Sequence, residues 1–184
     1  MSVEAPDWSD IPAPQDDGAC DHLTGMAWPS LALPGTDGQG HDLSRLPGQA
    51  VVYAYPRTGR PGVANPEGWD AIPGARGCTP QSCAFRDHAD DLRAAGAGHV
   101  FGLSTQDTAY QAEAAARLHL PFPLLSDARL DLARALRLPV FEAGGETLLK
   151  RMARVLREGV IETVCYRVFP PDRNAELVED WLKA

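Results

Sequence analysis

The chain has 184 residues, 44% hydrophobic and 23% charged. That is one domain's worth of ordinary globular sequence, which excludes a disordered tail, a collagen-like chain and a coiled coil. Its 25 acidic and 17 basic residues leave a net charge of −8, which repels phosphate backbones and anionic lipid, so neither nucleic acid nor a membrane surface is an expected partner.

No apolar run approaches the roughly 20 residues of a membrane span. Met1 to Asp10 lacks the basic start and apolar stretch of a signal peptide, so the expected compartment is the cytosol. Residues 1–27, rich in Pro, Asp and Gly, read as a loosely ordered leader, and residues 28–184 as a single domain. Leu31–Pro34, the turn signal Gly35-Thr36-Asp37-Gly38 and a second short segment at 41–48 predict an N-terminal hairpin extension.

Val51-Val52-Tyr53-Ala54-Tyr55 is β-branched and aromatic and predicts a strand that Pro56 stops. Residues 59–77 then hold five glycines and three prolines, a long loop of the kind that tends to carry function. Thr79 as N-cap and Pro80 at the first helical position open a helix. Phe85, Ala89 and Leu92 give it a core-facing stripe, and Gly96 and Gly98 end it.

His99–Leu103 predicts the next strand, and Ser104-Thr105-Gln106-Asp107 resembles a capping box opening a helix to about Leu118. Pro123–Leu125 reads as a strand, with Asp127 capping a helix over Ala128–Leu136. Val155-Leu156 and Val160–Val168 flank a hairpin turn at Arg157-Glu158-Gly159. Asp172 caps a last helix with Leu177, Val178, Trp181 and Leu182 on one face. This alternation predicts a three-layer α/β domain with helices flanking a central sheet.

The four cysteines are Cys20, Cys78, Cys83 and Cys165. In a cytosolic chain of this size they mean chemistry, metal binding or core filling. Cys78 stands at a predicted helix start, where unpaired N–H groups and the positive dipole end favour the reactive thiolate. Position alone leaves it equally open to being an inert buried hydrophobe. Over five residues an ideal helix rises about 7.5 Å with roughly 140° of residual rotation, which separates the Cα atoms of Cys78 and Cys83 by about 8.7 Å. A disulfide tolerates less than about 7 Å, so joining the two would require the first helical turn to unwind. Cys78, Cys83 and His88 do not share one helix face, so no metal set is read from them. Cys165 reads as core filling, Cys20 as a remote thiol, and His22, His41, His99 and His119 match no constellation.

The run Gly77-Cys78-Thr79-Pro80-Gln81-Ser82-Cys83-Ala84-Phe85-Arg86-Asp87 resembles the active-site segment of peroxiredoxins, specifically the bacterioferritin-comigratory or Q-type subgroup. Tyr55-Pro56, Phe101–Ser104, Phe122–Asp127 and Tyr166–Pro171 match that family in order. The resemblance implies a thioredoxin-like fold with a central mixed sheet. It implies that Cys78 attacks hydrogen peroxide or an alkyl hydroperoxide and that Cys83 resolves the sulfenic acid as an intramolecular disulfide. A thioredoxin-like protein then restores the thiols, with no metal or organic cofactor, and the chain is expected to act as a monomer.

The family also places an arginine on a later strand, eight or nine residues before a hairpin glycine. Counting back from Gly159 gives Arg151, with Arg154 and Arg157 too close to the turn. Its pattern Pro-x-x-x-Thr-x-x-Cys is broken here, because 19 residues separate Thr58 from Cys78. The expectation is that residues 59–77 bulge out as an insertion and leave the Thr58 hydroxyl near the sulfur. Tyr55 and Pro56 are expected at the substrate pocket. Trp69 either covers the site and selects bulkier hydroperoxides or anchors its loop on the core. Two other readings remain open: a general thiol–disulfide oxidoreductase, which the absence of Cys-x-x-Cys disfavours, and a non-enzymatic redox sensor switching between thiols and a Cys78–Cys83 disulfide.

Overall fold

The computed structural model describes residues 7–184. The strands are β1 (Leu33–Pro34), β2 (Gly40–His41), β3 (Gln49–Ala54), β4 (Ala97–Ser104), β5 (Leu124–Ser126), β6 (Val140–Ala143), β7 (Glu146–Leu149), β8 (Met152–Arg157) and β9 (Val160–Tyr166). The α-helices are α1 (Cys78–Asp87), α2 (Ala89–Ala94), α3 (Thr108–Arg117), α4 (Asp131–Leu136) and α5 (Asn174–Lys183). Five strands form a mixed sheet in the order β5-β4-β3-β8-β9. β3 runs parallel to β4 and antiparallel to β8, so it is the central strand.

Central placement explains the near-continuous apolar run of β3, which is buried on both faces. Val51, Tyr53 and Tyr55 face one way, onto Phe85 of α1, Leu92 of α2 and Val178 of α5. Val52 and Ala54 face the other, onto Leu132 and Leu136 of α4 and onto residues from the N-terminal segment. β1 and β2 form the expected N-terminal hairpin. The central mixed sheet flanked by helices is that of the thioredoxin fold.

Several boundaries differ from the sequence reading. The leader is not loose throughout, because Leu23 is fully buried and Cys20 joins the same apolar cluster. Gly25 N also donates to Ile161 O at 2.8 Å, stitching this segment to β9. The helix expected from Thr79 starts at Cys78 and breaks at His88 into α1 and α2. The apolar stripe Phe85, Ala89, Leu92 survives that break because all three side chains still reach the core. Ser104 stays in β4, paired with Ser126, so α3 opens instead at Asp107, whose carboxylate accepts from Tyr110 N at 2.7 Å. Asp127 caps α4 at a distance, accepting from Leu132 N and Ala133 N. On α5 the buried face is Ala175 and Val178, while Leu177 and Trp181 are exposed. The β6–β7 hairpin has no counterpart in the sequence reading.

Arg154 on β8 is an anomaly within the core. It is fully buried and none of its three guanidinium nitrogens finds a hydrogen-bond partner among the described residues. Its favourable neighbours are the Trp28 ring, 5.0 Å away, and the charge of the buried Asp127. Burial pushes its pKa down to about 10. A buried charge without hydrogen-bond partners costs more than a cation–π contact returns. Arg154→Met is therefore expected to stabilise the fold by about 1–4 kcal/mol at neutral pH. A chemical denaturation curve checks this, and a loss of stability on substitution would show that Trp28 outweighs desolvation.

Candidate active site

Cys78 is the first residue of α1, and Gly77 is its N-cap with φ 106°. Glycine is required there twice over: the backbone is left-handed, and a Cβ would lie 2.5 Å from Pro171 Cγ and 2.9 Å from Trp8. No side chain caps this end. Gln81 N already bonds to Gly77 O and Pro80 has no N–H, so the unspent helix donors are those around Cys78 itself. The sulfur therefore sits at the positive end of the helix dipole.

The Cys78 side chain is only 4% exposed. As a thiol its Sγ donates to Ala75 O at 3.6 Å. Arg151 Nη2 donates to the same sulfur at 3.3 Å, which suits the thiolate form. Arg151 itself is 3% exposed and lies one residue before β8, not within the strand. Its Nη2 also reaches the carbonyls of Gly74, Ala75 and Arg76 at 3.1–3.2 Å. Its Nη1 donates to Gln81 Oε1. Three carbonyls and one amide thus aim a buried guanidinium at one sulfur.

Gln81 and Asn174 were not singled out from sequence, although Gln81 lies three residues after Cys78, the spacing of one helix face. Both are fully buried, and Gln81 Nε2 donates to Asn174 Oδ1 at 2.9 Å. That bond commits the Gln81 amide so that its oxygen, not its nitrogen, faces Arg151.

The other expected site residues divide. Trp69 lines the cleft above Cys78. It is also buried against Ala75 and Leu148, so it anchors the loop and shapes the site together. Thr58 is not among the residues lining the cleft, although Arg57 and Gly59 on either side of it are, and its hydroxyl and backbone N both donate to Gln106 Oε1, at 3.4 and 3.0 Å. Gln106 Nε2 and Tyr110 Oη donate back to Thr58 O, so the threonine is held in a hydrogen-bond network with these two side chains. Pro56 O is likewise spent on Ser104 Oγ. Tyr55 packs in the same apolar cluster as Cys78 but is fully buried, with its hydroxyl donating to Gln111. Neither Tyr55 nor Pro56 lines the cleft.

Cys83 is half-buried on the unbroken α1, and burial pushes its thiol pKa up. All four cysteines are free thiols. Burial raises the Cys20 pKa to about 12, and Cys20 donates to Met152 Sδ at 3.9 Å, so it belongs to the core. Cys165, partly buried against the second apolar cluster, is also pushed up by burial. His88, Asp91 and Glu179 bring donor atoms within 4.8 Å of one another, but this group contains no cysteine and Lys183 already pairs with Glu179.

A matching family model, Redoxin, covers residues 23–179. A chloroplastic peroxiredoxin Q of Populus jackii is 33% identical over 83% of this chain and 64% of its own length. One from Sedum lineare is 31% identical over 83% of this chain and 73% of its own. The solved peroxidoxin BcpB of Mycobacterium tuberculosis superposes with a TM-score of 0.70 at 25% identity, over 88% of this chain and 96% of that one. The chain belongs to the redoxin family and, within it, to the peroxiredoxins of Q type. It spans slightly less than two thirds of the Populus relative.

If Arg151 activates Cys78, its removal should be read directly in thiol reactivity. Arg151→Met is expected to slow iodoacetamide alkylation of Cys78 at pH 7 by about tenfold or more, the loss of one charge-assisted contact. Gln81→Leu should slow it less, and Cys83→Ser should leave it unchanged. Peptide-resolved mass spectrometry reads all three.

Proposed function

We propose that the protein is a thiol-dependent peroxidase that reduces hydrogen peroxide and organic hydroperoxides through Cys78. The observation that carries this reading is the Arg151 guanidinium 3.3 Å from a sulfur at the first position of α1. The thiolate attacks the terminal oxygen of the hydroperoxide. The O–O bond breaks, its electron pair leaves on the other oxygen, and that alkoxide takes a proton to become an alcohol or water. Cys78 is left as a sulfenic acid. Arg151 donates to sulfur and remains close enough to meet charge developing on oxygen.

Cys83 then resolves the intermediate. Its sulfur attacks Cys78 Sγ, the S–O bond breaks, and hydroxide leaves with the Cys83 proton as water. The resulting disulfide is returned to two thiols by exchange with a thioredoxin-like dithiol protein. Because α1 is continuous from Cys78 to Asp87, ideal helix geometry keeps the Cα atoms about 8.7 Å apart, beyond the roughly 7 Å limit. The first turn must open, which costs the bonds of Gln81 to Arg151 and Asn174 and of Ser82 to Tyr53. An intramolecular disulfide needs no second chain, so we take the monomer as the working unit.

The test is one equivalent of hydrogen peroxide on reduced protein, quenched within seconds and mapped by peptide mass spectrometry. A Cys78–Cys83 linked peptide is the expected product. Oxidation of Cys78 without linkage would remove Cys83 from the mechanism, and a reduced Cys78 would remove the peroxidase reading itself.

A further inference from the structure

The insertion at 59–77 builds most of the cleft over Cys78, a space of about 240 Å³. Gly59, Asn65, Trp69 and Arg76 line it from the insertion, and Arg57 lines it from the segment after β3. Among the described residues no acidic one lines this cleft, although the chain as a whole carries −8. Two arginines therefore face the approach to the thiol, with Arg151 behind it as a third.

The two lining arginines differ in how far they are committed. Arg57 is mostly buried, with Nη1 3.3 Å from Glu146 and Nη2 donating to Tyr110 Oη at 3.5 Å, so it adds positive charge at the rim of the cleft. Arg76 is 3.7 Å from Asp70, with both side chains more than half exposed. An exposed pair of that kind contributes little and exchanges readily. Trp69, packed on Ala75 and Leu148, holds the insertion against the domain and so fixes where its charges stand.

We propose that this cleft makes the enzyme selective for organic hydroperoxides that carry a carboxylate, with the exposed Arg76 receiving the carboxylate, Arg57 adding positive charge beside it, and the peroxide reaching Cys78. The inference rests on the peroxidase reading and adds the substrate class. The chemistry is unchanged: the thiolate takes the terminal oxygen, the O–O bond breaks, and the departing alkoxide is protonated to give a hydroxy acid. A neutral hydroperoxide of equal length gains nothing from the two cations.

The test uses the reduced full chain and three oxidants: a straight-chain hydroperoxide ending in a carboxylate, its methyl ester, and hydrogen peroxide. Rapid-quench mass spectrometry gives the rate of Cys78 oxidation by each. The acid is expected to react about tenfold faster than the ester at low salt, the worth of one charge-assisted contact. That ratio should collapse between about 0.01 M and about 1 M salt, as the screening length falls from about 30 Å to about 3 Å. Arg76→Gln should lower the ratio several-fold, and Arg76→Lys should keep most of it. Equal acid and ester rates in the unmodified protein, with hydrogen peroxide still oxidising Cys78 rapidly, would overturn the inference and leave the peroxidase reading standing. So would a ratio that neither salt nor Arg76→Gln moves. A Cys78 inert to all three oxidants would overturn both.

Discussion

The Arg151 guanidinium, buried and 3.3 Å from the Cys78 sulfur, organises the site from several directions at once. A buried cation is costly unless acceptors hold it, and here three successive carbonyls, Gly74, Ala75 and Arg76, supply them. Those carbonyls belong to the end of the insertion, so the segment that separates Thr58 from Cys78 is also part of the arginine's cradle. Gln81 closes the ring from α1, and Asn174 at the start of α5 fixes the direction of the Gln81 amide. The sulfur, the helix start, the insertion and the last helix are thereby tied through one side chain.

The same ties give the reduced state its cost of leaving. α1 presents Cys78 in its first turn and Cys83 in its second, roughly 140° out of phase. Bringing the sulfurs together means releasing Gln81 and Ser82, both fully buried. In the proposed cycle the site needs a compact helix for the attack on peroxide and an opened one for resolution, and the buried amide pair biases the balance toward the former.

Much of this was legible in the sequence, for identifiable reasons. β3 announced itself because a central strand buried on both faces must be continuously apolar. The separation of Cys78 and Cys83 was readable from helix geometry, while Arg151 came only with the family resemblance, and the structure places it beside the Cys78 sulfur. For Thr58 a motif distance was carried across an insertion, and Thr58 is not among the residues lining the cleft. The chain turns at Thr58 into the Gln106 and Tyr110 network, and Ala75 occupies the position three residues before the cysteine. Its backbone carbonyl, not a hydroxyl, meets the sulfur there. The β6–β7 hairpin was readable in Gly144-Gly145 between two short runs, but their partial exposure weakens the apolar signal. Arg154 and the exposed Leu177 and Trp181 show the limit of pattern reading: side-chain type alone does not say which face meets the core.

The central claim is that Arg151 and Gln81 hold the first turn of α1 closed around a thiol that must later escape it. Amide hydrogen exchange across residues 78–87, measured in the reduced protein and after one equivalent of peroxide, tests this most directly. The account predicts protection of the Ser82 and Cys83 amides in the reduced state and its loss once the Cys78–Cys83 disulfide has formed. A disulfide that forms while both amides keep their reduced-state protection would contradict it.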